Sequence, residues 1–272
     1  MLILAATPIG NLSDASERLK TSLAQASYVA AEDTRTIKQL CSALGIKLHA
    51  KLFSLHEHSD SERTEQLLEL ARNHDLLVVS DAGMPTISDP GYQLVRDCAL
   101  AGIEVIAIPG PSAVISALAV SGLATDRFCF EGFLPRKQGE RRRAFEALLT
   151  ETRTMVFFEA PHRILESLED ALSVFGPDRL ASVSREMTKK FEHTERGSLT
   201  DLVAWAKTGP KGEMVLVISG ASPIQHDLKD LGAKALELAA EGVGLKQACA
   251  ELAEVTGASK SAIYAEALLL KA

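Results

Sequence analysis

The chain has 272 residues, 46% of them hydrophobic, and a formal net charge of −7. That length suits one large domain or two small ones, and the apolar share is enough for a sizeable core, which excludes long disordered regions. The acidic balance excludes a generic polyanion binder but leaves room for a local basic patch.

The N-terminal stretch "MLILAATPIGN" lacks a basic leader region and breaks at Pro8, so it reads as a first strand and not as a signal peptide. No apolar run approaches the ~20 residues of a membrane span. Cys41, Cys98, Cys129 and Cys249 have no paired spacing. They read as free thiols in a reducing, cytoplasmic compartment, with no metal site expected.

Short apolar runs then alternate with amphipathic stretches. Strands are expected at Leu2–Ala6, Tyr28–Ala31, Lys51–Ser54, Leu76–Ser80 and Glu104–Ile108. Helices are expected near Ala15–Gln25, Thr36–Leu44, Ser61–Asn73, Pro90–Ala101 and Ser112–Ser121. This rhythm predicts βαβ units and a largely parallel sheet. Asp14 and Glu17 have the spacing of a capping pair, and Gly45 and Gly102 sit where a helix ends in a left-handed residue. The segment "FLPRKQGERRR", Phe133–Arg143, breaks the rhythm and reads as a linker or mobile loop. Strands then resume at Phe128–Gly132, Thr154–Glu159, Ala181–Arg185 and Met214–Gly220, with helices at Arg141–Leu149, Pro161–Phe175 and Leu199–Ala206. From about Gln225 the pattern is helical, and two helices around Gly257 have the form of a helix-turn-helix or of a plain helical cap.

In open α/β folds ligands bind at strand-end loops. "ATPIGNLSD" (Ala5–Asp14) is a tight turn at Pro8, Ile9 and Gly10, and it matches neither a dinucleotide fingerprint nor a Walker loop. "AAEDTRT" places Glu32, Asp33 and Arg35 at a strand end, where they either orient a hydroxyl or metal or simply cap the next helix. "SDAGMPTISDPGY" (Ser80–Tyr92) carries Asp81, Gly83, Met84 and Asp89. Carboxylates repel phosphates, so a cation or ribose hydroxyls suit this loop better. Asp89 reads as a cap for a helix starting at Pro90. "AIPGPSAVISALA" turns sharply at Ser112 and Ala113, where a ligand can approach the backbone or Ser112 can serve as an N-cap. "FFEAPHRI" and "SREMTKKFE" bring Phe158, Glu159, Arg163 and Lys189 to further strand ends. The basic run Arg136, Lys137, Arg141, Arg142 and Arg143, against the single acid Glu140, stands out in an acidic chain and points to a polyanion contact.

In this order and spacing, "ATPIGNLSD", "AAEDTR", "SDAGMPTISDPGY", "IPGPSA", "FEGFLPRK", "ETRTMVFFEAPHRI", "SREMTK" and "GEMVLVI" resemble the tetrapyrrole methylase superfamily, in its branch that modifies ribosomal RNA. The resemblance spans about Leu2–Gly220, and the helical tail is similar to that branch's C-terminal extension. It implies a class III methyltransferase with two α/β domains (1–124 and 125–224) and a helical extension (225–272). It further implies S-adenosylmethionine in the cleft between the α/β domains, a homodimer, and 2′-O-methylation of a cytidine ribose in the decoding centre of 16S rRNA in the small ribosomal subunit. Cofactor contacts would then map onto Pro8, Ile9, Gly10, Asp81, Gly83, Met84, Ser112 and Ala113, with Phe158 and Met214 from the second domain. Tetrapyrrole relatives carry Gly-Asp-Pro where this chain has "SDAG", so only Asp81 transfers directly from that wider pattern.

Removing the ribose proton calls for a base. Glu32, Asp33 and Glu159 are the candidates, and the sequence does not choose among them. Arg35, Arg163 and Lys189 would position flanking phosphates, and the basic run would hold RNA. The alternatives are methylation of a tetrapyrrole or a protein residue on the same scaffold, or a non-catalytic nucleic-acid-binding protein.

Overall fold

The structure, a computed structural model, describes residues 1–56, 61–221 and 227–271. The chain divides into two compact units, Met1–Ala221 and Ser222–Ala272. The expected start of the helical region near Gln225 lies outside the described residues. Among the described residues no helix is long and apolar enough to cross a membrane.

Strands β1 (Leu2–Ala5), β2 (Tyr28–Ala31), β3 (Lys51–Ser54), β4 (Leu76–Val79) and β5 (Val105–Ile108) form a parallel sheet in the order β3-β2-β4-β1-β5. β4 is central, and its sequence "LLVV" is buried on both faces, as a covered parallel strand requires. The two-residue period assigns the faces. Leu77 and Val79 pack with Leu19 and Leu23 of α1 (Glu17–Gln25) and Ile37 and Cys41 of α2 (Thr34–Ala43). Leu76 and Val78 pack with Leu67 and Ala71 of α3 (Ser61–Asn73) and Leu94 and Cys98 of α4 (Tyr92–Leu100). Because all five strands run the same way, the loops after β1, β2, β4 and β5 emerge at one edge of the sheet.

The second sheet is mixed. β6 (Phe128–Phe133) runs parallel to β7 (Thr154–Glu159), while β10 (Met214–Ile218) is antiparallel to both β7 and β8 (Leu180–Arg185). β9 (His193–Ser198) pairs antiparallel with β8 at the edge, giving the order β6-β7-β10-β8-β9. One face of this sheet (Met155, Phe157, Leu216, Ile218) is covered by α6 (Gln138–Ala147), α7 (Ile164–Phe175) and α8 (Leu199–Ala206). The other face, Val156, Val215 and Val217, packs against Val114, Ala117 and Leu118 of α5 (Ala113–Val120). Thus α5 follows β5 in the chain yet is buried on the second sheet.

Several local expectations need correction. The side chain of Ser16, not the Asp14–Glu17 pair, caps α1 by accepting from the Leu19 N–H. Asn11 caps the preceding turn of 3-10 helix, Leu12–Asp14. The helix expected at Pro161 begins at Ile164. The helix expected at Pro90 begins at Tyr92 behind Gly91, with no side-chain cap, so Asp89 is not its N-cap. Gly45 and Gly102 do take positive φ, 69° and 68°, just past their helices. Most of "FLPRKQGERRR" is ordered secondary structure, because Phe133 ends β6 and α6 starts at Gln138.

The second unit holds α9 (Leu228–Ala240), α10 (Leu245–Thr256) and α11 (Lys260–Lys271) around Leu231, Ala235, Cys249, Ile263 and Ala267. Gly257, at φ 72°, terminates α10 and turns the chain into α11, completing the helix-turn-helix form. Residues 227–271 carry five lysines, no arginine and seven carboxylates, a poor composition for gripping phosphates.

Candidate active site

A cavity of about 440 Å³ lies where the strand-end loops of the first sheet meet the ends of β7 and β10. That is the size of a small-molecule or cofactor site. Its walls are mostly apolar, with Ile9, Met84, Val114, Phe158, Met187 and Met214 among them, and Asp81, Ser88, Asp89, Ser112, Glu159 and Glu213 are the polar residues that join them.

Two turns frame one side. Thr7 and Gly83 form an antiparallel bridge, the Thr7 N–H donating to the Gly83 carbonyl at 2.9 Å and the Gly83 N–H returning to Thr7 at 3.2 Å. The Ser80 hydroxyl donates to the Gly83 carbonyl at 3.1 Å, which ties the end of β4 to the same point. Gly83 itself has φ 83°, a conformation in which a side chain would be strained. Beyond it Thr86 and Ser88 also take positive φ, 76° and 62°. Such backbone is costly, above all for a β-branched residue, and concentrates at functional sites. Glu186 and Thr188 show the same feature in the loop that supplies Met187 to the opposite wall.

The acids gather at the ends of β2 and β4, which are neighbours in the sheet. The Asp33 N–H donates to Asp81 Oδ1 at 3.2 Å. Burial pushes the Glu32 carboxyl up, and the nearby charge of Asp81 adds to this. Asp89 is half-buried, and its pKa is pushed up to about 6. Desolvation is the main cause, followed by the charges of Glu32 and Asp81, opposed in part by the Ser80 hydroxyl. Asp33 behaves differently. Its carboxylate accepts from the Arg35 N–H at 2.7 Å and from the Arg35 guanidinium at 2.6 Å, and these bonds hold its pKa down to about 2. Asp33 is thus the cap of α2 and Arg35 its exposed partner.

Glu159 must also be reassigned. Its carboxylate has no solvent exposure. It accepts from the Ala160 N–H at 2.7 Å, from Arg163 at 2.9 Å and from the Ser167 hydroxyl. Those bonds tie the end of β7 to the start of α7. They leave Glu159 in the wall of the cavity as a structural anchor and not as a proton acceptor. Arg163 also donates to the Leu134 carbonyl at 2.6 Å and is largely buried, which removes it from the expected phosphate-binding set.

The basic run is split by the fold. Arg141 is 1% exposed and donates to Asp170 at 2.7 Å from Nε. It is therefore a core residue, not part of an RNA-binding face. Arg142 also reaches Asp170, at 2.6 Å, but remains partly exposed. Arg136, Lys137 and Arg143 are exposed.

Of the expected cofactor residues, the cavity brings together Ile9, Asp81, Gly83, Met84, Ser112, Ala113, Phe158 and Met214. Ser112 doubles as the cap of α5, accepting from the Ile115 N–H. Pro8 is buried beneath the turn and does not line the cavity. Gly10 is also outside the lining, pressed against the loop that carries Thr188 and Lys189. A Cβ on Gly10 would lie 2.6 Å from Lys189 Cγ and 2.8 Å from Thr188 Oγ1. Lys189 in turn is held by Glu213 at 2.7 Å and Glu186 at 3.1 Å, and its pKa is raised chiefly by the bond to Glu213. The lysine stem cannot retreat without breaking those pairs. Gly10→Ala should therefore destabilise the fold by ~1–3 kcal/mol, the usual cost of overpacking, as read by chemical denaturation.

Reading the sequence missed Asp89 as a cavity residue, and it missed Ile87, Ser88, Phe133, Met187, Glu213 and Val215 altogether. The crowding of Asp, Pro and Gly around Asp89 was visible, but the positive φ of Ser88 that precedes it was not.

This arrangement, a parallel sheet with an acidic strand-end loop facing a mixed sheet across an apolar cavity, has relatives. The sequence profile described as Tetrapyrrole (Corrin/Porphyrin) Methylases matches residues 1–203, and the chain belongs to that family. Within it, the chain groups with the ribosomal RNA small subunit methyltransferase I proteins. It is 47% identical to that of Mycobacterium tuberculosis (strain ATCC 25618 / H37Rv) over 93% of this chain and 88% of the relative. It is 44% identical to that of Escherichia coli O157:H7 over 98% and 94%. The profile of the RsmI C-terminal HTH domain matches residues 227–271. Among solved structures, the methyltransferase CobJ superposes with a TM-score of 0.59 at 18% identity, covering 83% of this chain and 96% of that one. Uroporphyrin-III C-methyl transferase from Thermus thermophilus, complexed with S-adenyl homocysteine, gives 0.54 at 18% identity, covering 80% and 96%. These likenesses concern the fold.

Proposed function

We propose that the protein transfers a methyl group from S-adenosylmethionine to the 2′-hydroxyl of a cytidine ribose in the decoding centre of 16S rRNA, acting in the cytoplasm as a homodimer. The observation that carries this reading is the cavity itself. It pairs apolar walls with carboxylates and has no phosphate-binding loop, in a chain that groups with the small subunit rRNA methyltransferases.

The residues present fit the cofactor. It carries a sulfonium, an ammonium and a ribose, and Asp81 offers a carboxylate beside a turn narrowed to Gly83. Ile9, Met84, Ala113 and Val215 offer apolar walls of the right scale. Bound S-adenosylmethionine supplies an electrophilic methyl group whose departure leaves a neutral thioether. The protein must align the ribose oxygen with that methyl, exclude water and accept the hydroxyl proton. Asp89 is the acid placed for the last task. It faces the cavity, has no ion pair among the described residues, and is a carboxylate above a pH of about 6. Glu32 supports it from outside the cavity lining, its charge adding to the upward push that burial gives the Asp89 carboxyl. Lys189, expected to position a flanking phosphate, is instead taken up by Glu186 and Glu213 and positions Glu213 in the wall.

Arg136, Lys137, Arg142 and Arg143 are assigned to phosphate contacts. Replacing Arg136, Lys137 and Arg143 together by Gln should weaken binding to small ribosomal subunits and flatten its salt dependence by about two to three charges. An unchanged slope would remove this segment from the interface.

The decisive test offers labelled S-adenosylmethionine to small ribosomal subunits, naked rRNA, porphyrinogens and protein. Label is expected in 16S rRNA, at a single nucleotide whose 3′ linkage resists alkaline hydrolysis. Label in a porphyrinogen, in protein or on a base would reject the assignment.

A further inference from the structure

Phe133 is 63% exposed, although it lines the cavity. An aromatic ring left so open to water at a site mouth calls for an explanation, and its placement shows that the fold arranges it deliberately. In a regular strand, residues 130 and 133 point to opposite faces. β6 is not regular. Phe130 is in register with Val156 and Phe133 with Phe158, so three steps along β6 match two along β7, and Gly132 takes φ 70° at the irregularity. A bulge of this kind re-aims the side chain that follows it. The result is that Phe130 and Phe133 both reach the ring of Phe158, at centroid distances of 4.9 and 5.3 Å and interplanar angles of 65° and 59°. Phe158 holds Phe133 from one side and leaves most of its ring free. The same bulge brings Gly132 beside the strained loop, where a Cβ would lie 4.0 Å from Ser88 Oγ, one residue from Asp89.

We propose that Phe133 is a stacking platform for an unstacked nucleobase of the RNA substrate at the mouth of the cavity. A flat, apolar, preheld ring at a solvent-facing rim is what a splayed-out base stacks on. The adenine of the cofactor is the less suited occupant, because the deeper walls formed by Ile9, Met84 and Ala113 already provide it with apolar surface away from solvent. This inference rests on RNA being the substrate.

The test uses the full-length enzyme with small ribosomal subunits lacking the modification. Phe133→Leu keeps apolar bulk and removes the π face, while Phe133→Tyr keeps both. The leucine variant should raise KM for subunits about tenfold, in line with the loss of one base–aromatic stack. Its affinity for S-adenosylhomocysteine, measured by calorimetry, should stay within twofold, and the tyrosine variant should stay close to wild type in both. A matching loss of S-adenosylhomocysteine affinity would make the ring a cofactor wall. A changed oligomeric state would make it a subunit contact, and an unmoved KM would leave it no role in binding; each of these overturns the proposal. If the wild-type enzyme labels neither subunits nor their RNA, the substrate reading fails first, before any variant is made, and this assignment falls with it.

Discussion

Asp89→Asn should lower single-turnover methyl transfer by about 10²–10⁴-fold, the usual contribution of a positioned general base. The substitution preserves shape and removes only the proton-accepting charge. In the wild type the rate should fall about tenfold per pH unit below a pH near 6, where Asp89 takes up its proton, and level off above it. The variant should lose that limb. The same group makes a stability prediction of opposite sign. Its folded pKa of about 6 lies above the ordinary aspartate value of 3.8, so the folded state binds more protons than the unfolded one between those pH values. Stability therefore falls as pH rises through that window and stays lower above it. A neutral amide at this position escapes the penalty. After allowing for partial solvent screening, the variant should be ~1–2 kcal/mol more stable at pH 7 and no more stable near pH 4. Loss of activity with a gain in stability is the pattern of a group held in place for chemistry. A rate within fivefold of wild type, or a pH limb that survives in the variant, would take the proton transfer away from Asp89 and leave Glu32 as the next candidate.

Asp170→Ala should unfold the second α/β sheet's outer layer far more easily, costing ~3–5 kcal/mol. The carboxylate is 1% exposed and accepts from Arg141, Arg142 and Gln138, at 2.7, 2.6 and 3.2 Å. Without it, the guanidinium of Arg141 remains buried between α6 and α7 with the carbonyls of Pro135 and Arg136, at 3.5 and 3.4 Å, and the solvent-exposed carboxylate of Glu166, at 3.5 Å. A thermal midpoint lower by roughly 10 °C is the expected reading. Adding Arg141→Met to the Asp170 variant should recover most of the loss, since the orphaned charge rather than the lost attraction is the main cost. A single variant within 1 kcal/mol of wild type would mean that α6 relaxes and lets Arg141 reach water.

The parallel sheet was legible because its central strands are short apolar runs with clear turn residues around them. Leu76–Val79 and Tyr28–Ala31 are such runs. β9, with the sequence "HTERGS", was not, because an edge strand with no fully buried residue carries no apolar alternation to read. Arg141 was misread for a related reason. Charge density in a sequence looks like solvated surface, and the partner that buries this arginine lies 29 residues away on another helix. The cavity was half legible. Glycines and acids flagged the loops at Gly10 and Asp81, while the roles of Asp89 and Phe133 depend on a positive φ and a strand irregularity that no pattern of residue types displays.

The position of α5 has a mechanical consequence. Pulling α5 away with the first sheet would strip Val114, Ala117 and Leu118 off Val156 and Val217. Re-exposing each large apolar side chain costs ~1.5–3 kcal/mol, so α5 stays fixed to the second sheet and any relative motion of the sheets falls on the segment 109–112. One wall of the cavity, Val114 with Ser112 and Ala113 ahead of it, is therefore registered to the strand ends of the second sheet although the chain delivers it from the first.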